Sequence, residues 1–382
     1  MNKHGMRKLW GAGIMMGAAW LAGCADKLPV SPMPPLKPSI KVDTQWKLSL
    51  GKTEEGFLSP ALRDRQLYVA SETGDLEAVN PDDGKTIWSI HSGDAFAAGV
   101  GTGDHGILMG NKNGDILAWI PGGQFLWRAA LSSELISSPQ AADGVVVART
   151  ADGKVLGLDE ADGKVLWTQS RPMPPLVLRG AGGMTLGHGQ ASISMPGGKL
   201  MQLNLADGNI LWESSVSAAH GATELERMND VLGDPLVGDG MVCTVSYQGR
   251  AACFEGEHGQ LIWSRDVDAF GPLVQAGGNL VLTTTKSDVM ALDRATGNVV
   301  WKNQSLEGRY LSALTVTASY VVFGDAEGVV HYLKRDDGLE VGRAPLDKDP
   351  IVQAPVYLGD ERVLVTNRVG QMFALKAHDL EH

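Results

Sequence analysis

Histidine is the side chain best suited to binding a metal or moving a proton near neutral pH, and in this chain the histidines are scattered. Between the two termini no histidine stands at metal-ligand spacing from another, and none adjoins a serine or cysteine that it could activate. These residues are His91, His105, His188, His220, His258, His331 and His378. The sequence therefore predicts no metal site and no activated nucleophile.

Two further patterns resemble chemical motifs, and turns explain both of them better. Gly101, Gly103 and Gly106 fit the spacing G-x-G-x-x-G, but a strand follows them, so no helix N-terminus is available for a pyrophosphate. Acidic residues cluster before glycines, where Asp bonds locally to its own turn; a calcium site or an acid/base pair is the alternative. These aspartates are Asp82, Asp83, Asp162, Asp207, Asp336 and Asp337. We expect no catalytic residue and no cofactor.

A repeated tryptophan reveals the elements that would position any site. Seven tryptophans recur at intervals of 38 to 51 residues, and Gly342 continues the series without the indole ring. They are Trp46, Trp88, Trp127, Trp167, Trp212, Trp263 and Trp301. A period of about 40 residues, built from short strands and glycine turns, is typical of a β-propeller.

One repeat contains four short strands. Residues 145–149 are a β-branched run, residues 154–158 alternate, and residues 164–167 end in tryptophan, with Asp-Gly turns between the runs. Residues 138–141 supply a fourth, innermost strand, so the repeat is a four-stranded antiparallel meander. We predict that the tryptophans pack between neighbouring blades, because a small sheet cannot bury either of its faces alone.

The number of repeats predicts how the ring closes. The repeat of strands and turns that ends in tryptophan, or in Gly342, occurs seven times. An eighth repeat begins at Val369 and stops before an outer strand. Residues 44–48 contain an outer-strand tryptophan with no inner strands before it. Joining the termini completes an eighth blade and removes two free strand edges. The sequence thus predicts an all-β, eight-bladed propeller over residues 42–382 as one domain, with seven blades as the alternative.

The N-terminal residues have the pattern of an export signal and a lipid attachment site. Residues 1–23 start with basic residues and continue with an apolar stretch that is too short to span a membrane. Residues 21–24 resemble the bacterial lipoprotein cleavage box, which implies that Cys24 becomes the first mature residue and carries acyl chains. Ala25 follows, and the sorting rule of such lipoproteins then implies export to the outer membrane. A secreted protein with an unmodified Cys24 is the alternative.

Composition describes the segment after the cysteine and excludes some partners. Residues 24–41 include five prolines between positions 28 and 38, so we predict an extended tether that does not pack on the ring. The net charge is −11, and it becomes about −14 without the basic residues of the signal. Because no basic stripe is present, the sequence argues against nucleic-acid binding and against charge-driven membrane binding.

Two cysteines remain after Cys24. Cys243 and Cys253 lie on the two strands of one predicted hairpin, and a turn centred on Gln248 would place them opposite each other. A register change of one residue would put them on opposite faces of the sheet. An exported protein can form a disulfide, so a disulfide and a pair of buried thiols both remain open.

The repeat is broken at two consecutive blade junctions, after Trp167 and after Trp212. Connections from an outer strand to the next inner strand emerge on one face of a propeller, so the added segments should form one raised patch. We name residues 171–183 the first insert and residues 220–231 the second insert. The second contains a capping box, Thr223 with Glu226, which predicts a short helical turn. The alternative is that both loops simply pack on their own ring.

The blade phrase resembles that of the quinoprotein-like propellers, and the whole chain resembles the BamB family, lipoprotein subunits of the outer-membrane β-barrel assembly machinery. Residues 173–180 and 223–231 are the most specific parts of this resemblance. It implies a scaffold on the periplasmic face of the outer membrane of a Gram-negative bacterium, which helps unfolded outer-membrane proteins reach the insertion machinery. The implied partners are the barrel subunit BamA, other subunits of the machinery and unfolded outer-membrane proteins.

The resemblance also implies partner-binding residues. In the family, two leucines and an arginine of the first insert dock onto the periplasmic domains of BamA, which points to Leu176, Leu178 and Arg179. Of two acidic residues in the second insert, one aligns with Asp230, whereas the other falls at Leu232, so this chain departs from the family pattern there.

Two other functions remain as alternatives. Quinoprotein dehydrogenases share the repeat, but their adjacent cysteine pair is missing here, since Cys243 and Cys253 are ten residues apart. Their blades also carry long insertions that this chain lacks. The second alternative is an envelope lipoprotein that binds a peptide or a glycan and has no link to barrel assembly.

Overall fold

A computed structural model describes residues 29–51, 58–178, 180 and 182–380, which form eight four-stranded antiparallel sheets. Within seven sheets the strands pair in chain order, and the eighth combines strands from the two ends of the chain. The predicted eight blades and their closure by the termini are thereby confirmed. None of the described residues belongs to a helix with the length and apolar character needed to cross a membrane.

The first strand, β1 (Ile40–Ser49), is the outermost strand of blade 8 and starts two residues before the predicted domain boundary. Blades 1 to 4 then follow along the chain. From the innermost to the outermost strand of each blade, they contain β2 (Ala61–Arg63), β3 (Gln66–Ala70), β4 (Asp75–Val79) and β5 (Thr86–His91); β6 (Phe96–Thr102), β7 (Ile107–Asn111), β8 (Asp115–Trp119) and β9 (Phe125–Ala130); β10 (Gln140–Ala142), β11 (Val145–Arg149), β12 (Lys154–Asp159) and β13 (Val165–Ser170); β14 (Met184–Gly187), β15 (Gln190–Met195), β16 (Lys199–Asn204) and β17 (Ile210–Ser215).

Blades 5 to 8 complete the ring. In the same order, they contain β18 (Val231–Gly238), β19 (Met241–Ser246), β20 (Arg250–Glu255) and β21 (Leu261–Asp266); β22 (Val274–Ala276), β23 (Asn279–Thr283), β24 (Val289–Asp293) and β25 (Val299–Asn303); β26 (Thr315–Val316), β27 (Tyr320–Gly324), β28 (Val329–Lys334) and β29 (Glu340–Pro345); β30 (Val356–Gly359), β31 (Arg362–Thr366), β32 (Gln371–Asp379) and then β1. Each apolar cluster of the core lies between two neighbouring blades, so the ring is stabilised junction by junction.

The tryptophans connect neighbouring blades by the same contact each time. Each indole Nε1–H donates to a backbone carbonyl in the outer turn of the next blade, at 2.7 to 3.1 Å. In that turn a glycine with φ between 67° and 85° packs under the indole ring. Trp167 with Gly208 is one example, where a Cβ would lie 2.5 Å from the ring atom Cδ2. The prediction that the tryptophans pack between blades is confirmed.

The missing tryptophan of blade 7 has a structural reason. Blade 8 takes β32 from one end of the chain and β1 from the other, so these two strands are not joined by a turn that could accept an indole N–H. Ile40 occupies the position instead, and a Cβ on Gly342 would collide with its side chain. Glycine at position 342 therefore makes room for the incoming N-terminal strand.

Cys243 and Cys253 form a disulfide in blade 5. The two residues face each other in the register of β19 and β20, with Cα atoms 4.0 Å apart, and Gln248 lies in the turn with a φ of 47°. Of the two states that the sequence left open, the structure contains the disulfide. Both sulfur atoms are buried in the core between blades 5 and 6.

The N-terminal segment before β1 departs from expectation. The prediction that this proline-rich tether does not pack is wrong for residues 31–39, since Ser31, Met33 and Pro34 contact blades 6 and 7. Proline content favours an extended chain, but it does not determine whether that chain lies in solvent or on a protein surface. Residues 1–28, with the predicted signal and the lipidated Cys24, lie outside the described residues.

Candidate docking surface

The first insert joins β13 of blade 3 to β14 of blade 4 and reaches across to blade 5. Leu176 is 42% exposed, whereas Leu178 is half buried and packs against the apolar cluster between blades 5 and 6. Packing onto the ring, the alternative for these loops, thus holds for Leu178 and not for Leu176. Arg179 lies outside the described residues, so its predicted role stays a prediction.

The second insert connects β17 of blade 4 to β18 of blade 5 and contains the predicted capping box. The Thr223 Oγ1 accepts the backbone N–H of Glu226 at 3.2 Å, and the Glu226 carboxylate accepts the N–H of Thr223 at 3.1 Å. One hydrogen-bonded turn follows, from Thr223 C=O to Arg227 N–H. These hydrogen bonds lower the pKa of Glu226. The turn presents Leu225, which is 65% exposed.

Asp230 joins the two inserts. Its Oδ2 accepts the backbone N–H of Leu178 at 2.6 Å, and its Oδ1 accepts that of Gly197, in the turn between β15 and β16, at 2.9 Å. The side chain is only 3% exposed. Asp230 was expected to contact a partner; in the structure its contacts are with the backbone of the first insert, whose position it fixes.

The first insert is also linked to β18, the innermost strand of blade 5, which follows the second insert. Gly182 and Gly233 form a parallel bridge, and the Gly183 N–H donates to the Gly233 carbonyl at 3.0 Å. The Asp234 Oδ1 accepts the Met184 N–H at 2.9 Å. Glycine is required at position 183, because a Cβ there would collide with Asp234 Oδ1. The first insert is therefore hydrogen-bonded both to Asp230 of the second insert and to β18 of blade 5.

One buried arginine lies among the acidic groups. Arg149, on β11, is 3% exposed and donates from Nη1 to the Gly182 carbonyl at 2.9 Å. Burial lowers its pKa to about 10, while the charges of Asp230 and Asp234 act in the opposite direction, so it stays protonated at neutral pH. Burial raises the pKa of Asp234, although the Met184 N–H and Arg149 lower it. One guanidinium thus offsets two carboxylates beneath the inserts.

We call residues 171–183 and 220–230 the docking patch. Its outer surface combines two exposed leucines, Leu176 and Leu225, with the exposed charges of Glu224 and Arg227. Beneath Leu178, a cavity of about 210 Å³ opens between the first insert and the ring. Exposed apolar side chains next to charged ones on a fixed backbone are typical of a protein-binding surface.

The other residues considered from the sequence have structural roles in the described part of the chain. Gly101 to Gly106 close the hairpin between β6 and β7, with the Gly103 N–H bonded to the Gly106 carbonyl, as predicted. Glu255, Glu257 and His258 bring ligand-type atoms within 4.8 Å of one another. The Glu255 carboxylate there already accepts the backbone N–H groups of the other two residues, and all three lie in an outer turn.

His331 belongs to a buried ionic cluster that the sequence did not predict. Its Nε2 lies 3.0 Å from Asp325 and its Nδ1 lies 2.7 Å from Glu340, and Asp325 also bonds Arg309 at 2.7 Å. The members of this cluster come from blade 7 and from the connection that precedes it, and their spacing matches no motif. The same holds for Arg149 and Asp234, whose charges interact although they lie in blades 3 and 5.

Comparison with known proteins places the chain in a family. The sequence model described as "Outer membrane protein assembly factor BamB" matches residues 72–303. Outer membrane protein assembly factor BamB of Nitrosomonas eutropha is 36% identical over 330 residues, which are 86% of this chain and 81% of that protein. The protein of that name from Burkholderia pseudomallei is 33% identical over 341 residues, 89% of this chain and 90% of its own.

Solved structures show how widely the fold is shared. The crystal structure of BamB from Moraxella catarrhalis superposes with a TM-score of 0.79 at 23% identity, covering 88% of this chain and all of that one. Quinohemoprotein alcohol dehydrogenase from Comamonas testosteroni reaches 0.68 at 14% identity, covering 89% of this chain and 78% of its own. Those two structures support the fold, while the sequence matches decide the family: this chain belongs to the BamB family of outer membrane protein assembly factors.

Proposed function

We propose that the protein is a non-enzymatic scaffold lipoprotein of the outer-membrane β-barrel assembly machinery, and that its docking patch binds the periplasmic domains of BamA. Membership of the BamB family supports a role in outer-membrane protein assembly. Unfolded outer-membrane proteins are the proposed clients. Acylated Cys24 anchors the scaffold on the periplasmic face of the outer membrane, where each buried methylene contributes about 0.8 kcal/mol.

One observation carries the proposal: two inserts from consecutive blade junctions are held as one surface. Asp230, buried beneath that surface, accepts a backbone N–H of the first insert at 2.6 Å. Leu176 remains outside and available to a partner. We assign partner contact to Leu176 and Arg179, and the placement of the loop to Leu178 and Asp230. A preorganised loop binds with less loss of conformational entropy than a mobile one.

Four buried charged side chains of the described chain also support a scaffold over an enzyme. They are Arg149, Arg309, Asp325 and Glu340, and their hydrogen bonds go to backbone groups or to other ionisable side chains. A catalytic acid or base instead needs a free position for substrate. A quinoprotein-like dehydrogenase and a peptide- or glycan-binding lipoprotein remain as outcomes that the following experiment separates.

The experiment is co-purification from detergent-solubilised envelopes, followed by identification of the bound proteins. BamA and other assembly subunits should co-purify with the native chain. The Arg179→Ala variant should lose BamA, because a hydrogen bond from a charged group contributes about 1.5–3 kcal/mol, roughly 10- to 100-fold in affinity. Arg335→Ala is the matched control, since Arg335 lies in an outer turn of blade 7, away from the docking patch.

Each outcome has a distinct meaning. If both variants fold at native yield and retain BamA equally, Arg179 has no docking role. A native chain that yields no assembly subunit contradicts the scaffold. Purification with a bound quinone cofactor would favour the dehydrogenase, and recovery of peptide or glycan alone would favour the binding lipoprotein.

A further inference from the structure

The segment before β1 lies on the ring as a strap, which we define as residues 31–39. The Ser31 N–H donates to the Gly308 carbonyl at 3.1 Å, and the Ser31 carbonyl accepts Nη1 of Arg309 at 2.5 Å. Two residues later, Met33 packs against the apolar cluster between blades 6 and 7. The strap therefore has polar and apolar contacts with a defined site.

Two arginines build that site, and carboxylates hold each of them. Arg309 is fully buried, with Asp325 at 2.6 Å and Glu327 at 2.6 Å, and it still donates one N–H to the strap. Arg343 pairs with Glu340 at 2.5 Å and donates from Nη1 to the Pro34 carbonyl at 2.7 Å. A guanidinium fixed in this way donates in a set direction, so it selects a carbonyl at one position.

The contacts also define the path of the strap across the ring. Gly308 and Arg309 lie in the connection from β25 to β26, an outer-to-inner connection of the same kind as those that contain the two inserts. All such connections emerge on one face of the ring. From there the strap crosses the rim, and its Ser39 N–H reaches the Val341 carbonyl at 2.9 Å where β29 begins. The chain thus reaches the ring at its insert-bearing face.

The short distance along the chain to Cys24 limits how far the ring can move from its anchor. Ser31 follows Cys24 by seven positions, which span at most about 25 Å when fully extended. If the strap were not docked, the extended chain from Cys24 to Ile40 would let the ring lie up to roughly 55 Å from its anchor. Docking of the strap thus halves the reach and fixes the exit point.

We propose that the strap sets where the lipid anchor leaves the ring, and so turns the blade 6 and blade 7 edge of the insert-bearing face toward the membrane surface. This inference rests on the proposed acylation of Cys24. The docking patch lies on the same face, at blades 3 to 5. A partner would therefore bind on the side of the ring that faces the membrane. The strap would limit the distance between this bound partner and the membrane surface.

A spin label tests the docking of the strap without any partner or membrane. Pro32→Cys combined with Cys24→Ser, in the protein purified in detergent, provides a single labelling site, since Cys243 and Cys253 are bonded to each other. Without any further substitution, we expect the spin label at residue 32 to move as slowly as a label on the ring itself. Met33→Asp, which alters only the strap, and Arg343→Met, which alters only the site, should each speed the label motion about 10-fold or more, to the sub-nanosecond range of free segments.

Arg335→Ala is again the control, because its side chain pairs with Asp336 and not with the strap. Two results would contradict docking of the strap. One is a label that is already mobile without the strap or site substitutions, and the other is a label that stays slow in both Met33→Asp and Arg343→Met. These measurements do not depend on BamA or on lipid, so they separate a failure of the strap from a failure of the proposed function.

Vesicles with nitroxide-labelled headgroups test the orientation of the ring. The lipidated protein would carry a fluorophore at Lys286→Cys, on the insert-bearing face, or at Asp336→Cys, on the other face; both positions are exposed. These faces are about one strand length apart, roughly 17 Å, so quenching at Lys286 should be at least about twofold stronger. Arg343→Met should bring the ratio near one.

Equal quenching at the two positions in the native protein would overturn the orientation. Failure of the lipidated protein to bind vesicles at all would overturn the orientation together with the lipid anchor of the proposed function. The label mobility would in that case still decide whether the strap docks.

Discussion

The docking patch and the strap site break the regular repeat in different parts of the ring, and buried charges of opposite sign hold them. At the patch, the Asp230 carboxylate accepts a backbone N–H of the first insert. At the strap site, the Arg309 guanidinium donates to a backbone carbonyl of the strap. An irregular segment exposes backbone groups without ladder partners. In both places a buried charged side chain satisfies such groups and fixes the segment.

The two sites differ in how the ion is balanced. Arg309 has two carboxylates within 2.6 Å, and Asp325 is further bonded to His331. Asp230 shares the single cation Arg149 with Asp234, and hydrogen bonds from N–H groups supply the rest of its stabilisation. We therefore expect the loss of Arg309 to cost more folding free energy than the loss of Asp230.

Arg309→Ala should have the largest effect on stability. It leaves Asp325 buried without its arginine, and breaking a buried ion pair costs about 3–5 kcal/mol. The free energy of unfolding, measured with urea, should fall by about that amount, while Arg335→Ala should stay within about 0.5 kcal/mol of the native protein. A loss below about 1 kcal/mol for Arg309→Ala would show that the cluster is not the main support of this region.

Asp230→Ala should have an intermediate effect. It leaves the N–H groups of Leu178 and Gly197 without their acceptor, which costs about 1–3 kcal/mol. It should also weaken BamA binding, because the first insert loses its fixed position. Asp336→Ala, at an exposed turn, is the control for the removal of one carboxylate. If Asp230→Ala binds BamA as tightly as the native chain does, the proposed positioning role is wrong.

Acid should affect the strap site through Asp325. Burial raises its pKa, but the hydrogen bond and charge of His331, the Val329 N–H and Arg309 together hold the pKa below its ordinary value. A lowered folded-state pKa means that the stabilisation is complete above about pH 4 and disappears as the pH falls through the folded-state value. The melting temperature of the native protein should therefore drop more steeply in acid than that of Asp325→Asn. Parallel curves would contradict this.

Leu176→Ala should have the smallest effect on stability and a clear effect on binding. The side chain is 42% exposed, so its truncation should change the free energy of unfolding by no more than about 0.5 kcal/mol. BamA affinity should nevertheless decrease by about 10-fold, as for an interface residue that contributes more than 1 kcal/mol. Leu211→Ala, at an exposed position of β17 outside the patch, should leave both quantities unchanged.

The sequence predicted the ring and its closure because those features repeat. The tryptophan period, the incomplete final repeat and the capping box of Thr223 with Glu226 are patterns that either recur along the chain or lie within a few neighbouring residues. The disulfide stayed open, because one residue of register decides whether Cys243 and Cys253 meet. The repeat alone does not explain why glycine replaces tryptophan at position 342. The structure explains it, because Ile40 occupies the place of the indole.

Contacts between distant segments could not be predicted from spacing. Asp230 was expected at the surface, and only the folded chain shows its carboxylate beneath the backbone of Leu178. The strap was expected to lie free, since its prolines carry no information about Arg309 and Arg343, which lie 278 and 309 residues away from their acceptors. Such pairings depend on which blades become neighbours.

Hydrogen exchange of the intact protein, with and without the periplasmic domains of BamA, tests the central claim most directly. Our account expects slower exchange on binding within residues 171–183 and 220–230, and unchanged exchange in the turns at residues 187–189 and 238–240 on the opposite face. Protection confined to that opposite face, or none in either insert at saturating BamA, would contradict the claim that the joined inserts form the docking surface.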